Sequence, residues 1–362
     1  MINAADHEFM AQALELARRG LYTTTPNPRV GCVLVRDGVV VGTGWHERAG
    51  GPHAEVSALN AAGERARGAT AYVSLEPCHH FGRTPPCDQA LIKAGVARVV
   101  AAMADPDPRT SGHGMECLRQ AGIAIATGVM ESEARDLNIG FVSRVTRGRP
   151  WTRMKIAASL DGRTALNNGK SQWITGTEAR RDGHHWRARA CAVLTGIGTV
   201  VEDDPQLTVR DVSTTRQPLR VVVDSRLEIP LTARVLAGGG VLIACAVADT
   251  AKIRQLNDQG VEVIAMTNAD GKVDLPALLL DLARRGINEL HIEAGSKLNG
   301  SLINEGCVDE LLLYLAPHLL GDKARGMVSL PELVDLEGRR RLNISDMRNV
   351  GGDIRIIARL EK

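Results

Sequence analysis

The stretch SLEPCHHFGRTPPC, residues 74–87, holds two cysteines and two histidines within the ten positions from Cys78 to Cys87. Its surroundings are polar and proline-rich, whereas the other five cysteines lie in or beside apolar segments, as small core residues do. A short motif upstream, GPHAE at 51–55, adds His53 at the predicted start of a helix. His53, Cys78 and Cys87 therefore form a candidate His/Cys/Cys metal site.

This donor set matches a catalytic zinc site. Such a site has three nitrogen or sulfur ligands and an open fourth position for water, whose pKa falls from about 15.7 to about 7 on the metal. Glu55, two residues after the histidine, is then placed to shuttle protons, as in the H-x-E and P-C-x-x-C signature of zinc deaminases. Because residues two apart on a helix point roughly 200° apart, His53 and Glu55 converge only if His53 stands at the helix start or if the metal lies across the end of the helix. We predict His53, Cys78 and Cys87 as zinc ligands and Glu55 as the catalytic residue.

The segment between the cysteines, HHFGRTPP, is longer than in that signature, where both cysteines share one helical turn. We therefore expect Cys78 to end a strand-to-helix turn and Cys87 to open the next helix. His79 and His80 exceed the three ligands of a catalytic site and are interpreted as loop residues, although either could complete a purely structural zinc site. Arg83 offers a planar donor fork to a substrate phosphate, with a solvated loop residue as the equal alternative.

Composition limits the class of protein. The chain has 362 residues, 44% of them apolar and 24% charged, which is typical of a globular protein with two domains. It has no apolar run of about 20 residues and no signal-peptide core, so we expect a cytoplasmic location and no membrane contact. Seven scattered cysteines favour reduced thiols. A net charge of +2 and 3% aromatic residues argue against a nucleic-acid partner, and a homo-oligomer stays open.

Hydrophobic periodicity predicts two α/β domains with a boundary near 147–150. Asp6 caps a first helix that runs to Arg19, and Asp37-Gly38 joins two strands in a hairpin. The rest of the first half alternates in the order helix 54–62, strand ATAYVSL, helix DQALIKAG, strand VARVVAAM, helix GMECLRQAG and strand IAIATGV. The second half also alternates, through MKIAASLDG, a helix near 177–190, CAVLTGIGTV, LRVVVDS, GVLIACAV, VEVIAMT, the helix PALLLDLARRG, ELHIEAG, a helix from about Lys297, ELLLYLAP and DIRIIARL.

Several motifs together resemble a known family. TPNPRVGCVLV, GWHERAGGPHAE and EPCHHFGRTPPC are similar to the N-terminal half of the bifunctional deaminase/reductases of riboflavin biosynthesis. MKIAASLDGRTA, SQWITG, TVVEDDPQLTVR and the segment around Glu293 are similar to the C-terminal half, so the resemblance covers nearly the whole chain. It implies a cytidine-deaminase-like three-layer α/β/α domain in residues 1–147 and a dihydrofolate-reductase-like α/β domain in residues 148–362.

The resemblance also implies two successive reactions. The first is zinc-dependent deamination of 2,5-diamino-6-ribosylamino-4(3H)-pyrimidinone 5′-phosphate, and the second is NADPH-dependent reduction of the ribosyl group of the product to ribityl. By position, Asn27 and His46 would line the pyrimidine pocket. In the reductase half the residues implied at the NADPH site are Ala157, Trp173, Thr199, Asp203, Ser225, Gly295, Ser296, Lys297, Leu298, Asn299, Gly300 and Ser301; those implied at the substrate are Ser171, Arg187, Leu207, Arg210 and Glu293.

The reductase half gives weaker signals without the family. ELHIEAGSKLNGSLI reads as a strand, a glycine-containing turn and a helix whose N-terminus suits a phosphate, but it is not the G-x-G-x-x-G pattern. Arg187 and Arg210 suit a phosphomonoester, Glu293 can accept hydrogen bonds from sugar hydroxyls, and Lys155 is a candidate proton donor. The family carries a second glycine after this glutamate, where the chain has Ala294, whose methyl group crowds the approach of a cofactor.

Two other functions remain open from the sequence. One is a nucleic-acid adenosine or cytidine deaminase with an appended domain, which shares the zinc chemistry but needs a basic face and aromatic stacking platforms. The other is a non-catalytic module stabilised by a structural zinc with four protein ligands. Replacing Glu55 by Gln separates these ideas, because only an enzyme would lose ammonia release.

Overall fold

The computed structural model describes residues 2–81, 85–108 and 110–361. It divides into two compact units, Met1–Gly148 and Arg149–Lys362. Within the described residues, no helix combines the length and the apolar character that crossing a membrane requires.

The first unit is a five-stranded sheet with helices on both faces. Its strands follow the spatial order β2-β1-β3-β4-β5, in which β1 is antiparallel to both neighbours and β3, β4 and β5 are parallel. The strands are β1 (Gly31–Arg36), β2 (Val39–Trp45), β3 (Thr70–Val73), β4 (Arg98–Ala101) and β5 (Ala124–Thr127). The helices are α1 (Ala4–Arg18), α2 (Ala54–Ala62), α3 (Cys87–Ala94), α4 (His113–Gln120), α5 (Glu131–Leu137) and α6 (Ile139–Arg147).

Alternating side chains of β1 explain the layers. Cys32 and Leu34 pack with residues of α2, α3 and α4 on one face, whereas Val33 and Val35 pack with residues of α1, α5 and α6 on the other. The hairpin turns where the sequence predicts it, because Asp37-Gly38 adopts the positive φ values, 51° and 77°, that a tight hairpin turn needs. The unit is thus the predicted three-layer α/β/α domain.

Two local predictions in this unit are wrong. Helix α1 is capped by Asn3 and not by Asp6, whose side chain instead accepts the Asn3 backbone N–H at 3.0 Å to close a capping box. The Asp6 carboxyl is buried and also accepts hydrogen bonds from Arg98 at 2.6 and 3.0 Å and from Tyr72 at 3.0 Å. In addition, no element is predicted from the sequence between residue 128 and the boundary, where the structure has α5 and α6.

The second unit is built on a nine-stranded sheet in the order β11-β10-β9-β8-β12-β6-β13-β16-β15. The strands from β11 to β13 are parallel, and β16 and β15 add an antiparallel edge. The strands are β6 (Trp151–Ser159), β7 (Arg163–Ala165), β8 (Ala192–Gly196), β9 (Leu219–Val223), β10 (Val241–Cys245), β11 (Glu262–Ala265), β12 (Glu289–Ile292), β13 (Glu310–Ala316), β14 (Arg325–Gly326), β15 (Leu342–Val350) and β16 (Asp353–Leu360), with β7 and β14 paired separately.

The helices of this unit cover both faces of the sheet. They are α7 (Thr177–Arg189), α8 (Ile197–Asp203), α9 (Thr250–Asp258), α10 (Leu275–Arg284) and α11 (Ser296–Asn304). Neighbouring strand residues alternate between two cores, with Leu194 in one and Val193 in the other. Five elements are absent from the sequence prediction: β7, α8, α9, β14 and the edge strand β15, whose side chains are all exposed or half-buried. The architecture agrees with the predicted dihydrofolate-reductase-like α/β class.

Candidate active sites

The three predicted metal ligands of the first unit lie together. Nδ1 of His53 is 3.2 Å from Sγ of Cys87 and 3.6 Å from Sγ of Cys78. The Cys87 backbone N–H points to the Cys78 sulfur at an N···S distance of 3.4 Å. Donor atoms of the three side chains all lie within 4.8 Å of one another, and among the described residues no further His, Cys, Asp or Glu joins this group. The set is that of a three-ligand site with an open position.

The backbone around His53 allows the neighbouring carboxyl to converge on the same point. His53 is the N-cap of α2, with φ −74° and ψ 162°, so it is extended and does not follow the helical rotation. Glu55 lies in the first turn and is 3% exposed. The condition that His53 stand at the helix start is met. Cys87 is the first residue of α3, as the long cysteine spacing predicts.

Burial and mutual hydrogen bonds set the protonation of this group. Burial raises the pKa of Glu55 to about 7, with His53 opposing the shift. A hydrogen bond from the Cys87 thiol lowers the pKa of Cys78 to about 4, with burial opposing it and His53 adding to it. The same bond and burial raise the pKa of Cys87. The hydrogen bond from Cys87 therefore favours the thiolate form of Cys78, which is the form of cysteine that binds metals.

The two loop histidines have partners outside the ligand group. Nδ1 of His79 is 2.5 Å from Oδ2 of Asp88, and Nδ1 of His80 is 3.1 Å from Oγ1 of Thr110. Neither contributes to the group of three, so the fourth protein ligand of a structural zinc site is not supplied by them. Arg83, the candidate phosphate ligand, lies outside the described residues.

Asn27 and His46, implied at the pyrimidine pocket, lie beside the metal group. His46 donates from Nδ1 to the carbonyl of Pro52 at 2.9 Å, so its Nε2 accepts from the Asn27 side-chain amide at 3.0 Å. Burial lowers the pKa of His46, which keeps the ring neutral and this arrangement fixed. Its ring centroid is 5.4 Å from that of His53.

Glu76 is a supporting residue that the sequence did not single out. Its buried carboxylate accepts backbone N–H groups of Asp105, Gly112 and Met115 at 3.1, 3.0 and 3.2 Å. These hydrogen bonds hold the start of α4 next to the segment that carries Cys78. Gly114 permits this contact, because a Cβ there would lie 2.0 Å from the carbonyl oxygen of Pro77. The E-P-C triplet was the available signal, but its partners lie some 30 residues further on.

In the second unit, a cavity of about 1810 Å³ opens at the carboxyl ends of β6, β8, β9 and β12. Ligands of open parallel sheets bind at such an edge. Trp173, 68% exposed, stacks at its wall under the Arg180 guanidinium, 4.6 Å from the ring centroid. The residues implied by the family that line it are Lys155, Ala157, Ser171, Trp173, Arg187, Thr199, Asp203, Leu207, Arg210, Ser225, Glu293, Gly295, Ser296, Lys297, Leu298 and Ser301.

Two residues implied at the cofactor, Asn299 and Gly300, do not line the cavity. Both residues lie on helix α11, whose successive side chains point in different directions around the helix axis, so only some of them face the cavity. Asn299 is 1% exposed and donates to the carbonyl of Met327 at 3.1 Å. Gly300 faces Ser329, whose carbonyl oxygen would lie 1.9 Å from an added Cβ.

The start of α11 fits a phosphate group. Gly295 is its N-cap and makes no side-chain capping bond, and both Gly295 and Ser296 line the cavity. The first backbone N–H groups of a helix have no intrahelical acceptor, and the helix dipole favours an anion there. Ala294 also lines the cavity, next to this N-cap.

Three charged side chains converge in the cavity from α7, β6 and the end of β12. Arg187 pairs with Glu293 in a two-pronged contact at 2.8 and 3.0 Å and also donates to the carbonyl of Thr208 at 2.7 Å. Burial raises the pKa of Glu293, but Arg187, His291 and Lys155 together hold it well below its usual range. Burial lowers the pKa of Lys155, which Glu293 opposes and Arg187 reinforces. Arg187 is therefore engaged by Glu293, whereas Arg210 is exposed.

The segment that carries Arg210 is held in a fixed conformation. Its backbone N–H donates to Nδ1 of His184 at 3.3 Å, and burial lowers the pKa of His184 to about 4, with Arg187 and Arg210 adding to the shift. Asp204 and Leu207, both lining the cavity, have φ values of 40° and 55°. This left-handed region costs non-glycine residues roughly 1–3 kcal/mol each and is retained where the surrounding structure shapes a site.

Known proteins match both units. The family model of the RibD C-terminal domain matches residues 150–356, and that of the cytidine and deoxycytidylate deaminase zinc-binding region matches residues 3–103. The chain is 48% identical to the riboflavin biosynthesis protein RibD of Escherichia coli (strain K12) over 361 residues, which cover 96% of this chain and 98% of that protein.

Solved structures give the same result. Acinetobacter baumannii RibD, form 1, has a TM-score of 0.91 and 44% identity over 99% of both chains. A diaminohydroxyphosphoribosylaminopyrimidine deaminase/5-amino-6-(5-phosphoribosylamino)uracil reductase from Thermotoga maritima has a TM-score of 0.87 and 32% identity, covering 98% of this chain and 99% of that one. The similarity extends over both units, which favours a two-domain metabolic protein over a nucleic-acid deaminase with an appended domain.

Proposed function

The chain belongs to the RibD family of riboflavin-biosynthesis proteins, and from that premise we propose that it is a deaminase and a reductase acting in succession on one phosphorylated pyrimidine. Residues 1–147 would deaminate 2,5-diamino-6-ribosylamino-4(3H)-pyrimidinone 5′-phosphate. Residues 148–362 would reduce the ribosyl group of the resulting 5-amino-6-(5-phosphoribosylamino)uracil to ribityl. The observation that carries the proposal is a buried carboxyl, Glu55, beside three metal donors that it does not join.

In the deaminase unit, His53, Cys78 and Cys87 would hold a zinc ion, which their N/S/S chemistry fits. Zinc in this position makes a water-derived nucleophile available at neutral pH. Water would add to the ring carbon that bears the amino group. Glu55 would pass one proton of that water to the adjacent ring nitrogen and the other to the amino group, which leaves as ammonia. His46 orients the Asn27 amide so that its carbonyl oxygen can accept an N–H of the pyrimidine.

In the reductase unit, the N-terminus of α11 would bind a phosphate of NADPH, and the cavity has room for cofactor and substrate together. NADPH supplies the hydride, which adds to C1′ of the ribosyl group. The C1′–O bond breaks, and the released ring oxygen takes a proton. Lys155 would donate that proton, Glu293 would hold sugar hydroxyls and Arg210 would bind the 5′-phosphate; all three line the cavity.

The reduced state of the cysteines supports a cytoplasmic location. All seven, each of them among the described residues, are free of disulfides. NADPH-dependent reduction of a phosphorylated metabolite belongs in the same compartment, and we place the enzyme there.

One assay tests the two-step function. Ammonia release and NADPH oxidation are followed together on the diaminopyrimidinone phosphate, before and after removal of zinc with a chelator. We expect ammonia first, NADPH oxidation after it, and loss of both on chelation, with NADPH oxidation restored when the deaminated product is supplied. Ammonia without NADPH oxidation would refute the reductase assignment, and absence of ammonia from the zinc-loaded chain would refute the deaminase assignment.

A further inference from the structure

A second cluster of metal-type donors lies beside the first, formed by His79, Asp88 and Cys117. Their donor atoms lie within 4.8 Å of one another. Asp88 is fully buried, Cys117 is half-buried, and the His79 side chain is 42% exposed. The mechanism described above uses none of the three.

The chain brings this cluster together by means of the first site. His79 directly follows Cys78, and Asp88 directly follows Cys87. Consecutive residues of a helix point about 100° apart, so at the start of α3 Cys87 and Asp88 present their side chains in different directions. The Cys87 side chain faces His53 and Cys78, and the Asp88 side chain faces His79 and α4.

Helix α4 completes the cluster from the other side. Cys117 lies on it, and the side-chain amide of Gln89 contacts its sulfur at 3.3 Å. His113 precedes Cys117 by four residues and therefore lies on the same face of the helix. The His113 and His79 ring centroids are 6.3 Å apart, so His113 lies next to the cluster without being one of its three members.

In this structure the donor atoms of the cluster are joined by hydrogen bonds, at the positions where they would bind a metal ion. His79 donates from Nδ1 to Oδ2 of Asp88 at 2.5 Å, the Cys117 thiol is hydrogen-bonded to the same carboxyl, and the Gln89 backbone N–H occupies Oδ1 at 2.6 Å. A divalent ion would displace the thiol proton to solvent, while the His79 ring would move its proton to Nε2. A thiolate and a carboxylate would then balance the two positive charges of the ion, as two thiolates do in the first site.

We propose that His79, Asp88 and Cys117 form a second binding site, for a divalent metal ion of borderline softness such as zinc. A mixed N/O/S set suits this class of ion and not calcium or magnesium, which take oxygen ligands. The site is weaker than the first because it has one thiolate fewer and a solvent-exposed histidine. An ion there ties the residues next to Cys78 and Cys87 to α4, so it slows loss of the first ion. The proposal does not rest on the assigned enzyme activities.

Metal stoichiometry tests the site directly. Metal-free full-length chain is equilibrated with excess zinc, separated from free ion and analysed for bound zinc per chain. We expect two ions for the wild type, one for Cys117→Ala and one for His79→Gln. The matched control His80→Gln alters the neighbouring histidine, which contacts Thr110, and should keep two. One ion in the wild type, or two in Cys117→Ala, would overturn the proposal.

A second measurement needs no variant, in case these substitutions prevent folding. Alkylation of Cys117 in the wild-type chain is followed by peptide mass spectrometry at zero, one and two equivalents of zinc. We expect little change up to one equivalent and a fall in the Cys117 rate of about tenfold or more between one and two, since a metal-bound thiolate is shielded. A Cys117 rate that is the same at one and two equivalents would contradict the second site whatever the variants do.

Discussion

The two halves of the molecule build their sites in opposite ways. In the first, the metal donors and Glu55 lie at helix starts and loop ends within 35 positions, from His53 to Cys87. In the second, Arg187 and Glu293 are separated by 106 positions and meet at the ends of distant elements. The first site therefore depends on a few donor atoms, whereas the second depends on a shared charge balance. We therefore expect substitutions to affect the two activities differently: a single change should nearly abolish activity in the first half and should reduce it by degrees in the second.

Glu55→Gln should give the largest effect. The amide keeps the size of the side chain but cannot take up and release a proton, so ammonia release should fall about 10²–10⁴-fold. Zinc content, measured by mass spectrometry, should be unchanged because Glu55 is outside the ligand group. NADPH oxidation with the deaminated substrate serves as the control and should match the wild type. Full deaminase activity in Glu55→Gln would refute the assigned role.

Glu293→Gln should give the next largest effect, confined to the reductase. Removal of the carboxylate leaves the Arg187 and Lys155 charges without their partner, so kcat for NADPH oxidation should fall about 10²-fold. Glu202 is the matched control, since it lines the same cavity but pairs with Arg325 at an exposed position. Glu202→Gln should stay within about twofold, because exposed pairs contribute little. Equal losses of kcat in Glu293→Gln and Glu202→Gln would contradict a specific role for Glu293 in the reductase.

Asp6→Asn should change stability and leave the chemistry intact. Arg98 lowers the pKa of Asp6 from 3.8 to about 2, with the Asn3 and Tyr72 hydrogen bonds adding to it. A lowered folded-state pKa stabilises the fold above about pH 4, and this contribution is lost as the pH falls towards 2. A shift of nearly two pKa units corresponds to about 2 kcal/mol, which should be lost in the variant at pH 7.

Denaturant unfolding of wild type and Asp6→Asn between pH 2 and 7 measures this. The gap between the two curves should close as the solution is acidified. A gap that is independent of pH would mean that the capping geometry, and not the carboxylate charge, carries the stability.

The difference between the halves also explains what the sequence could reveal. The sequence alone identifies the first site, because its motifs are short and their donor types seldom occur together. The residues identified in this way are His53, Glu55, Cys78 and Cys87. Glu76 was not predicted because its partners are backbone N–H groups from Asp105 onward, and no pattern of side chains in the sequence indicates such bonds.

Elements with little apolar periodicity were missed for a related reason. The strand β15 lies at the sheet edge with most of its side chains exposed, so it carries no alternation. Helix α5 is short and rich in charges, and its buried residues, Ala134 and Leu137, are recognisable only against the sheet. Helix α6 does carry an apolar face that includes Phe141, and it was overlooked in the sequence. The Arg187–Glu293 pair shows the limit in the site itself, because an ion pair between distant positions needs the fold to be known.

Ala294→Gly should give the smallest effect and tests the finest detail of the comparison. Ala294 lies in the cavity wall just before the N-cap of α11. Removal of its methyl group lets the cofactor come closer to the helix N-terminus, so the KM for NADPH should fall two- to fivefold, about 0.4–1 kcal/mol, with kcat unchanged. Steady-state kinetics with the deaminated substrate measure this, and ammonia release is the internal control. Glycine also loosens the backbone before the helix, which costs roughly 0.5–1 kcal/mol of stability. A rise in KM would mean that this rigidity outweighs the closer approach, and that the alanine is an adaptation of the reductase site and not an obstacle in it.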